Sequence, residues 1–345
     1  MREIENIPFP SLNLFSNIIR RIPRNTLEKF LKGKGLRSSE IDLVRRNSQY
    51  AISKLDPNDI IQLIDNYIGS RPKFSIYLFQ LDSPLFSNLG EIIDLLRDRN
   101  LLGVVGKPRK VYVKTLPTLN FIYLNQSYKV VQLFFYIKGK RKEVLDDEGK
   151  IVSQYKLIRS IVTFRENSPL VDVRLNAEFT AARKSLERAL ELLGLYKKAQ
   201  KLHFNNLNFV RNILEYVDKV GYLSLEFSGP RLPSAYGKIV YSSRKAHGRP
   251  TDLRKDTEVK EKIVAAFRSG SIARMHGEVK FQTPIFIDEY VSFGINFREN
   301  RLYVFSTSCE GSYRFLFDML YHIWKGSGVD FGKRKFKTIY DFFSN

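Results

Sequence analysis

The stretch Lys107-Pro108-Arg109-Lys110-Val111-Tyr112-Val113 divides the chain into two textures. Before it, apolar residues recur at helix spacing. Leu12, Phe15, Ile18, Ile19 and Ile22 share one face until Pro23 stops the run. Leu27, Phe30 and Leu31 form the next face, closed by Gly33 and Gly35. Residues 36–55 read as a third helical unit. Asp56-Pro57 opens a fourth over 60–68, with Asp56 as N-cap and Pro57 at the first helical position. Residues 74–81 and 89–96 complete a region read as helical throughout, from 12 to 97.

After the divide the pattern changes to runs of Val, Ile, Tyr and Phe. Residues 111–113, 121–124, 128–137, 156–164 and 170–175 read as strands. Asp146-Asp147-Glu148-Gly149 stands between two of them as a hairpin signal. A helix over about 182–193 ends at Gly194, and residues 207–217 read as another helix before a strand over 222–227. Residues 228–256, rich in Gly, Pro, Ser and Arg, read as a long basic loop. A helix over 258–267, strands over 278–281, 286–297 and 302–306, and a helix over 313–324 follow. The expected fold is therefore α+β, an N-terminal helical bundle followed by a mixed, mainly antiparallel β/α region. Expected domains are 1–100, 101–230, 231–327 and a tail at 328–345.

The 345 residues carry 57 Lys and Arg against 36 Asp and Glu, a net charge of +21. That excess stores self-repulsion in a compact chain, and a polyanionic partner relieves it through phosphate neutralisation and counterion release. The excess is local: residues 101–165 hold thirteen basic and four acidic side chains, whereas 55–100 are net acidic. A basic face for nucleic acid, DNA before RNA, is the first expectation. No apolar run is long enough for a membrane span, and the start Met-Arg-Glu-Ile-Glu carries no signal core. An intracellular protein is expected, in nucleoid or cytoplasm if prokaryotic and in the nucleus if eukaryotic. The lone Cys309 excludes an internal disulfide and a thiolate metal cluster.

The basic residues expected to meet phosphates are Arg20, Arg21, Arg45 and Arg46 in the helical region; Lys107, Arg109 and Lys110; Lys138, Lys140, Arg141 and Lys142; Arg183 and Lys184; Lys197, Lys198 and Lys201; and Arg244, Lys245 and Arg249. Tyr112, Tyr136 and Tyr241 lie near these clusters, either as half-buried strand residues or as stacking partners for bases.

Two resemblances extend this reading. In the tail, Gly332-Lys333-Arg334-Lys335-Phe336-Lys337-Thr338-Ile339-Tyr340-Asp341-Phe342-Phe343, the residues Ile339, Phe342 and Phe343 stand at i, i+3 and i+4 after a basic run. This resembles the peptide by which replication and repair proteins dock on the ring-shaped sliding clamp. The resemblance implies that these three side chains plug the clamp pocket, with Phe336 standing where that family usually has Gln. The opening Ile18-Ile19-Arg20-Arg21-Ile22-Pro23-Arg24-Asn25-Thr26-Leu27 and the stretch Tyr196-Lys197-Lys198-Ala199-Gln200-Lys201-Leu202-His203-Phe204 are similar to the centromere protein N family. That likeness implies a helical domain and an α+β domain that bind chromatin or a paralogous subunit through Arg21, Arg45, Arg46, Arg183, Lys184, Lys197, Lys198 and Lys201.

Enzymatic signatures are thin. Four histidines are scattered, and no phosphate-binding loop, dinucleotide fingerprint or nucleophile elbow occurs. Asp252, Asp256, Glu278 and Lys280 form the alternative: a carboxylate pair with Lys that holds a metal ion for phosphodiester attack, as in a nuclease. The plain reading of the same residues is a helix start and an alternating half-exposed strand. A non-catalytic binding protein that needs no cofactor is the main expectation.

Overall fold

The computed structural model describes residues 12–70, 74–108, 111, 113, 116–145, 150–227, 237–243, 245–246, 249–280, 290–305 and 308–326. The fold is α+β, with N-terminal helices preceding a sheet-rich region. The chain divides into two compact units, 1–201 and 202–345, where the sequence reading had cuts at 100 and 230.

The first unit opens with α1 (Leu12–Ile19), α2 (Arg24–Gly33), α3 (Ser38–Arg46), α4 (Ser48–Lys54) and α5 (Pro57–Tyr67). The expected single helix over 36–55 is two, because the Asn47 side chain accepts from the amides of Gln49 and Tyr50 and restarts the chain as α4. Asp56 caps α5 as its sequence foretells, accepting from Asp59 N at 2.9 Å with Pro57 at the first turn.

The larger correction is β1 (Ser75–Leu81), read from sequence as helical. Ser-Ile-Tyr-Leu-Phe-Gln-Leu is buried on both faces, so it carries no alternation, and an apolar run of that length does not distinguish strand from helix. This strand is what extends the first unit beyond residue 100. It pairs antiparallel with β5 (Leu170–Leu175), and the sheet continues through β4 (Ile151–Arg165) and β3 (Val130–Leu145) to β2 (Thr118–Asn125). The short β6 (Ala199–Lys201) adds to β1. The strand expected at 111–113 is not found: Val111 and Val113 lie outside regular structure.

One face of this sheet is apolar. α6 (Leu89–Asp98) and α7 (Phe179–Leu192) cover Tyr77, Phe79, Leu133, Phe135, Val162, Phe164 and Val173 with Ile92, Leu96, Leu186 and Ala189. Each fully buried side chain of this kind contributes about 1.5–3 kcal/mol. The other face is mixed: Ile76, Leu78 and Phe134 are buried on it beside Gln132, Asp172 and Arg174, and α5 docks there by hydrogen bonds. Asp65 accepts from Tyr123 Oη (2.7 Å) and Ser127 Oγ (2.5 Å), while Tyr128 Oη donates to Asn66 Oδ1 (2.5 Å). Beside them Asp172 pairs with Arg165 and, at 2.6 Å, with Arg174, all three buried. Burial pushes the Asp172 carboxyl up, but the charges and hydrogen bonds of the two guanidinium groups outweigh it and hold it below the usual range.

The second unit holds α8 (Leu207–Tyr216), β7 (Lys219–Phe227), β8 (Lys238–Ser242), β9 (Lys245–Ala246), β10 (Arg249–Pro250), α9 (Thr257–Ser269), β11 (Gly270–Lys280), β12 (Tyr290–Asn296), β13 (Arg301–Val304) and α10 (Glu310–Lys325). Its strands run antiparallel in the order β13-β12-β11-β7-β8, and β9 pairs with β10. The basic stretch expected as a loop at 228–256 thus contains three short strands among its described residues. Alternating positions explain the miss: β8 exposes Lys238, Val240 and Ser242, and one apolar position in two gives a weak signal. Inward-facing Leu223, Leu225, Met275, Phe293, Ile295 and Leu302 are buried, with α9 packed on β7 and β11.

Candidate nucleic-acid interface

The β3–β4 pair is longer than the sheet that supports it. Pairing with β2 ends at Tyr136, and pairing with β5 ends at Ser160. Beyond those points, 138–145 and 151–157 continue as a two-stranded ribbon, still in register at Leu145↔Ile151. The hairpin signal at 146–149 lies outside the described residues, but the antiparallel register on either side is that of a hairpin.

At the ribbon's root the register slips. Lys138 faces Leu157 and Arg141 faces Tyr155, so Gly139 and Lys140 together stand opposite Lys156. This is a β-bulge, which bends a strand and re-aims its side chains. Gly139 is required there: a Cβ would lie 2.6 Å from the Lys156 carbonyl oxygen and 2.9 Å from Ile158 Cδ1.

Between this bulge and the start of α7 runs a groove of about 570 Å3. Among the described residues its cations are Lys138, Lys140, Lys156 and Lys184, and its carboxylate is Glu178. Ile137, Ile158 and Ala181 supply apolar floor. The lysines are exposed, so their charges meet an incoming anion without a burial penalty. The positive end of the α7 dipole adds to the field. Ile151, Tyr155 and Leu157 are exposed along β4, and Lys138 Nζ sits 3.7 Å over the Tyr155 ring. Arg141 Nε donates to Ser153 Oγ at 2.7 Å across the two strands.

Two surface recesses hold others of the basic residues. Arg20, Arg45 and Arg46 line one surface recess of about 380 Å3 together with Asp42, which also pairs with Arg24 at 3.4 Å. Arg21 is half-buried and does not line it. Arg183, Lys197 and Lys201 line another recess, floored by Phe79 and Phe179. There the cations are engaged: Arg183 pairs with Glu187 at 2.8 Å, Lys197 Nζ donates to Ser83 Oγ (2.6 Å) and the Pro84 carbonyl (2.8 Å), and Lys201 Nζ lies 3.9 Å over the Phe179 ring. The neighbours Arg183 and Lys184 therefore serve different surfaces, since consecutive helical residues do not share a face. Lys198 and Lys107 are exposed.

Arg109, Lys110, Tyr112, Arg244 and the tail with Ile339, Phe342 and Phe343 lie outside the described residues. Lys142, Lys245 and Arg249 are placed by backbone alone, on β3, β9 and β10. Tyr136 is half-buried on β3 opposite Thr118, and Tyr241 Oη donates to Glu258 Oε1 at 3.0 Å. Burial, then the Glu258 carboxylate, pushes the Tyr241 phenol up to about 12.

The nuclease candidates are held one by one in structural roles. Asp252 is clamped by Arg254 (2.6–3.1 Å) and accepts from Val220 N. Burial raises its pKa, and Arg254 more than offsets that, leaving the carboxyl below its ordinary range. Asp256 caps α9 through Val259 N, and Glu278 accepts from Ser292 Oγ at 3.1 Å. Lys280 is placed by backbone on β11. Among the described residues no group of three or more His, Cys, Asp or Glu stands together as a metal site.

Lys156 is the groove residue that sequence reasoning missed. It is an isolated cation between Tyr155 and Leu157, and the β3 register alone sets it against Lys138 and Lys140. No helix among the described residues is long and apolar enough to cross a membrane. Comparison with protein-family models and with curated proteins gives no match, so the roles of these residues rest on their geometry and chemistry.

Proposed function

We propose that the protein binds duplex DNA through the phosphate backbone, without catalysis, and that the groove beside the β3–β4 ribbon is the principal contact. The observation that carries this reading is the convergence of Lys138, Lys140, Lys156 and Lys184, from two strands and a helix, on one groove where Glu178 is the one carboxylate among the described residues. A two-stranded ribbon matches the width of the B-DNA major groove, and cations at its root are then at the level of the flanking phosphates. The recess of Arg20, Arg45 and Arg46 offers a second phosphate contact of the same kind. The side chains on the groove are lysines, which act as point charges on the backbone and carry little base discrimination.

The test is a fluorescence-anisotropy titration with labelled duplex across a salt series. Wild-type affinity falls steeply with salt, and Lys138→Ala, Lys156→Ala and Lys184→Ala combined reduce the log–log slope by about 3, one for each phosphate contact removed. Salt-insensitive binding, or an unchanged slope in the triple variant, overturns the reading. In the same proposal the tail recruits a sliding clamp through Ile339, Phe342 and Phe343, as helix-in-groove anchors. Deleting residues 333–345 then abolishes co-elution with the clamp and leaves duplex affinity largely intact; persistent co-elution removes that part.

A further inference from the structure

The strands of the second unit differ from those of the first in having one face lined by rings and cations. Pairing sets Tyr222 of β7 opposite His276 of β11, His276 opposite Gly294 of β12, and Gly294 opposite Tyr303 of β13, so these four form one row across the strands. Tyr222 and His276 stack with centroids 4.4 Å apart and planes 20° apart. Phe305, just past β13, meets His276 edge-on at 4.6 Å. The rings of His276 and Phe305 close over Gly294, where a Cβ would lie 2.8 Å from Phe305 Cζ and 2.9 Å from His276 Cδ2. Glycine at this position is what makes the ring surface continuous.

The next row holds the cations. Arg274 lies opposite Asn296, and Asn296 opposite Arg301. Arg301 stacks on Tyr303 at 4.7 Å while pairing with Glu299 at 2.7 Å. Arg274 is exposed, and its charge acts on both His276 and Tyr303. Burial first, and then Arg274, lowers the His276 pKa, so the imidazole is held neutral and adds ring surface rather than charge. Phe305 is 43% exposed and Val240, on the same face, 48%. The opposite face carries the buried Met275, Phe293 and Leu302, so core formation does not call for rings on this side.

We propose that this face is a stacking platform for single-stranded nucleic acid, with Tyr222, His276, Tyr303 and Phe305 receiving bases and Arg274 meeting the phosphate between them. Rings beside an exposed cation such as Arg274 are the chemistry that unpaired bases require, since every base offers a π-face and every linkage a negative charge. Tyr, Phe and Arg are also enriched at protein interfaces, so association through this face is the outcome of the test that opposes the proposal. The site lies wholly in the second unit and goes beyond the duplex reading of the first.

The experiment titrates the full chain with labelled oligo-dT, oligo-rU and a blunt duplex in parallel. Tyr303→Ala and Phe305→Ala each weaken single-strand binding about tenfold, the loss of one stacked base. Tyr303→Phe, which keeps the ring, retains affinity, and duplex binding is unchanged in all three variants. Preference for oligo-dT or for oligo-rU tells DNA from RNA, and either supports the platform if the alanine variants lose it. A wild-type chain that ignores both oligonucleotides overturns the proposal. So do alanine variants, folded by thermal melting, that bind as tightly as wild type, or a chain that self-associates through this face. The groove variant lacking Lys138, Lys156 and Lys184 keeps single-strand binding, so failure of the duplex reading and failure of this one are told apart.

Discussion

The strands of the two units solve the same problem differently. In the first unit both faces are covered, one by an apolar layer under α6 and α7 and the other by a layer of mixed polar and apolar side chains to which α5 hydrogen-bonds. With no sheet face left, the surface available to a ligand is displaced to the ribbon that outruns its neighbours and to the groove at its root. In the second unit Leu223, Met275, Phe293 and Leu302 are buried on one face, and the other presents Tyr222, His276, Tyr303 and Arg274. The contrast teaches that a basic protein need not have one binding face. A closed sheet offers cations at its margins, suited to a phosphate backbone, and an open one offers rings, suited to bases.

The comparison is tested hardest at Asp172. Its carboxylate neutralises part of the charge of Arg165 and Arg174, and all three are out of water. Asp172→Asn leaves two buried guanidinium groups without an anion and should cost about 3–5 kcal/mol in urea unfolding of the first unit. Arg274→Ala on the open face should stay within about 0.5 kcal/mol. Equal costs at the two positions would break the distinction between a closed and an open sheet. A smaller effect is expected at the ribbon. Gly139→Ala sets a methyl 2.6 Å from the Lys156 carbonyl oxygen, and the bulge must shift to accommodate it. A loss of about 1–3 kcal/mol follows. It should appear as faster amide exchange confined to 140–145 and 151–157, with weaker duplex binding and unaltered single-strand binding. Protection unchanged in the ribbon would show that the bulge does not set its geometry.

Much of the element list was legible in the sequence. Asp56-Pro57 announced α5, the run at 170–175 is β5, and the helix ending near Gly194 is α7, because caps, prolines and alternation act over a few neighbouring residues. β1 was not legible, since a strand buried on both sides has no polar face to mark its period. The break at Asn47 was missed because Asn caps and Asn inside a helix look alike without the backbone. For the candidate site, Lys138, Lys140 and Lys184 stood out as members of charge clusters, and Lys156, Gly139 and the Tyr222–His276–Tyr303 row did not.

That residue pattern followed from how far each kind of information reaches. Charge, hydrophobic period and turn residues are local, and they established by themselves that this is a basic α+β chain whose N-terminal helices precede a sheet-rich region. Strand register is a long-range property: it depends on which runs pair and on where a single extra residue slips the ladder. Only folding decided that Lys156 would stand opposite the Gly139–Lys140 bulge, and that rings from three strands would meet around Gly294.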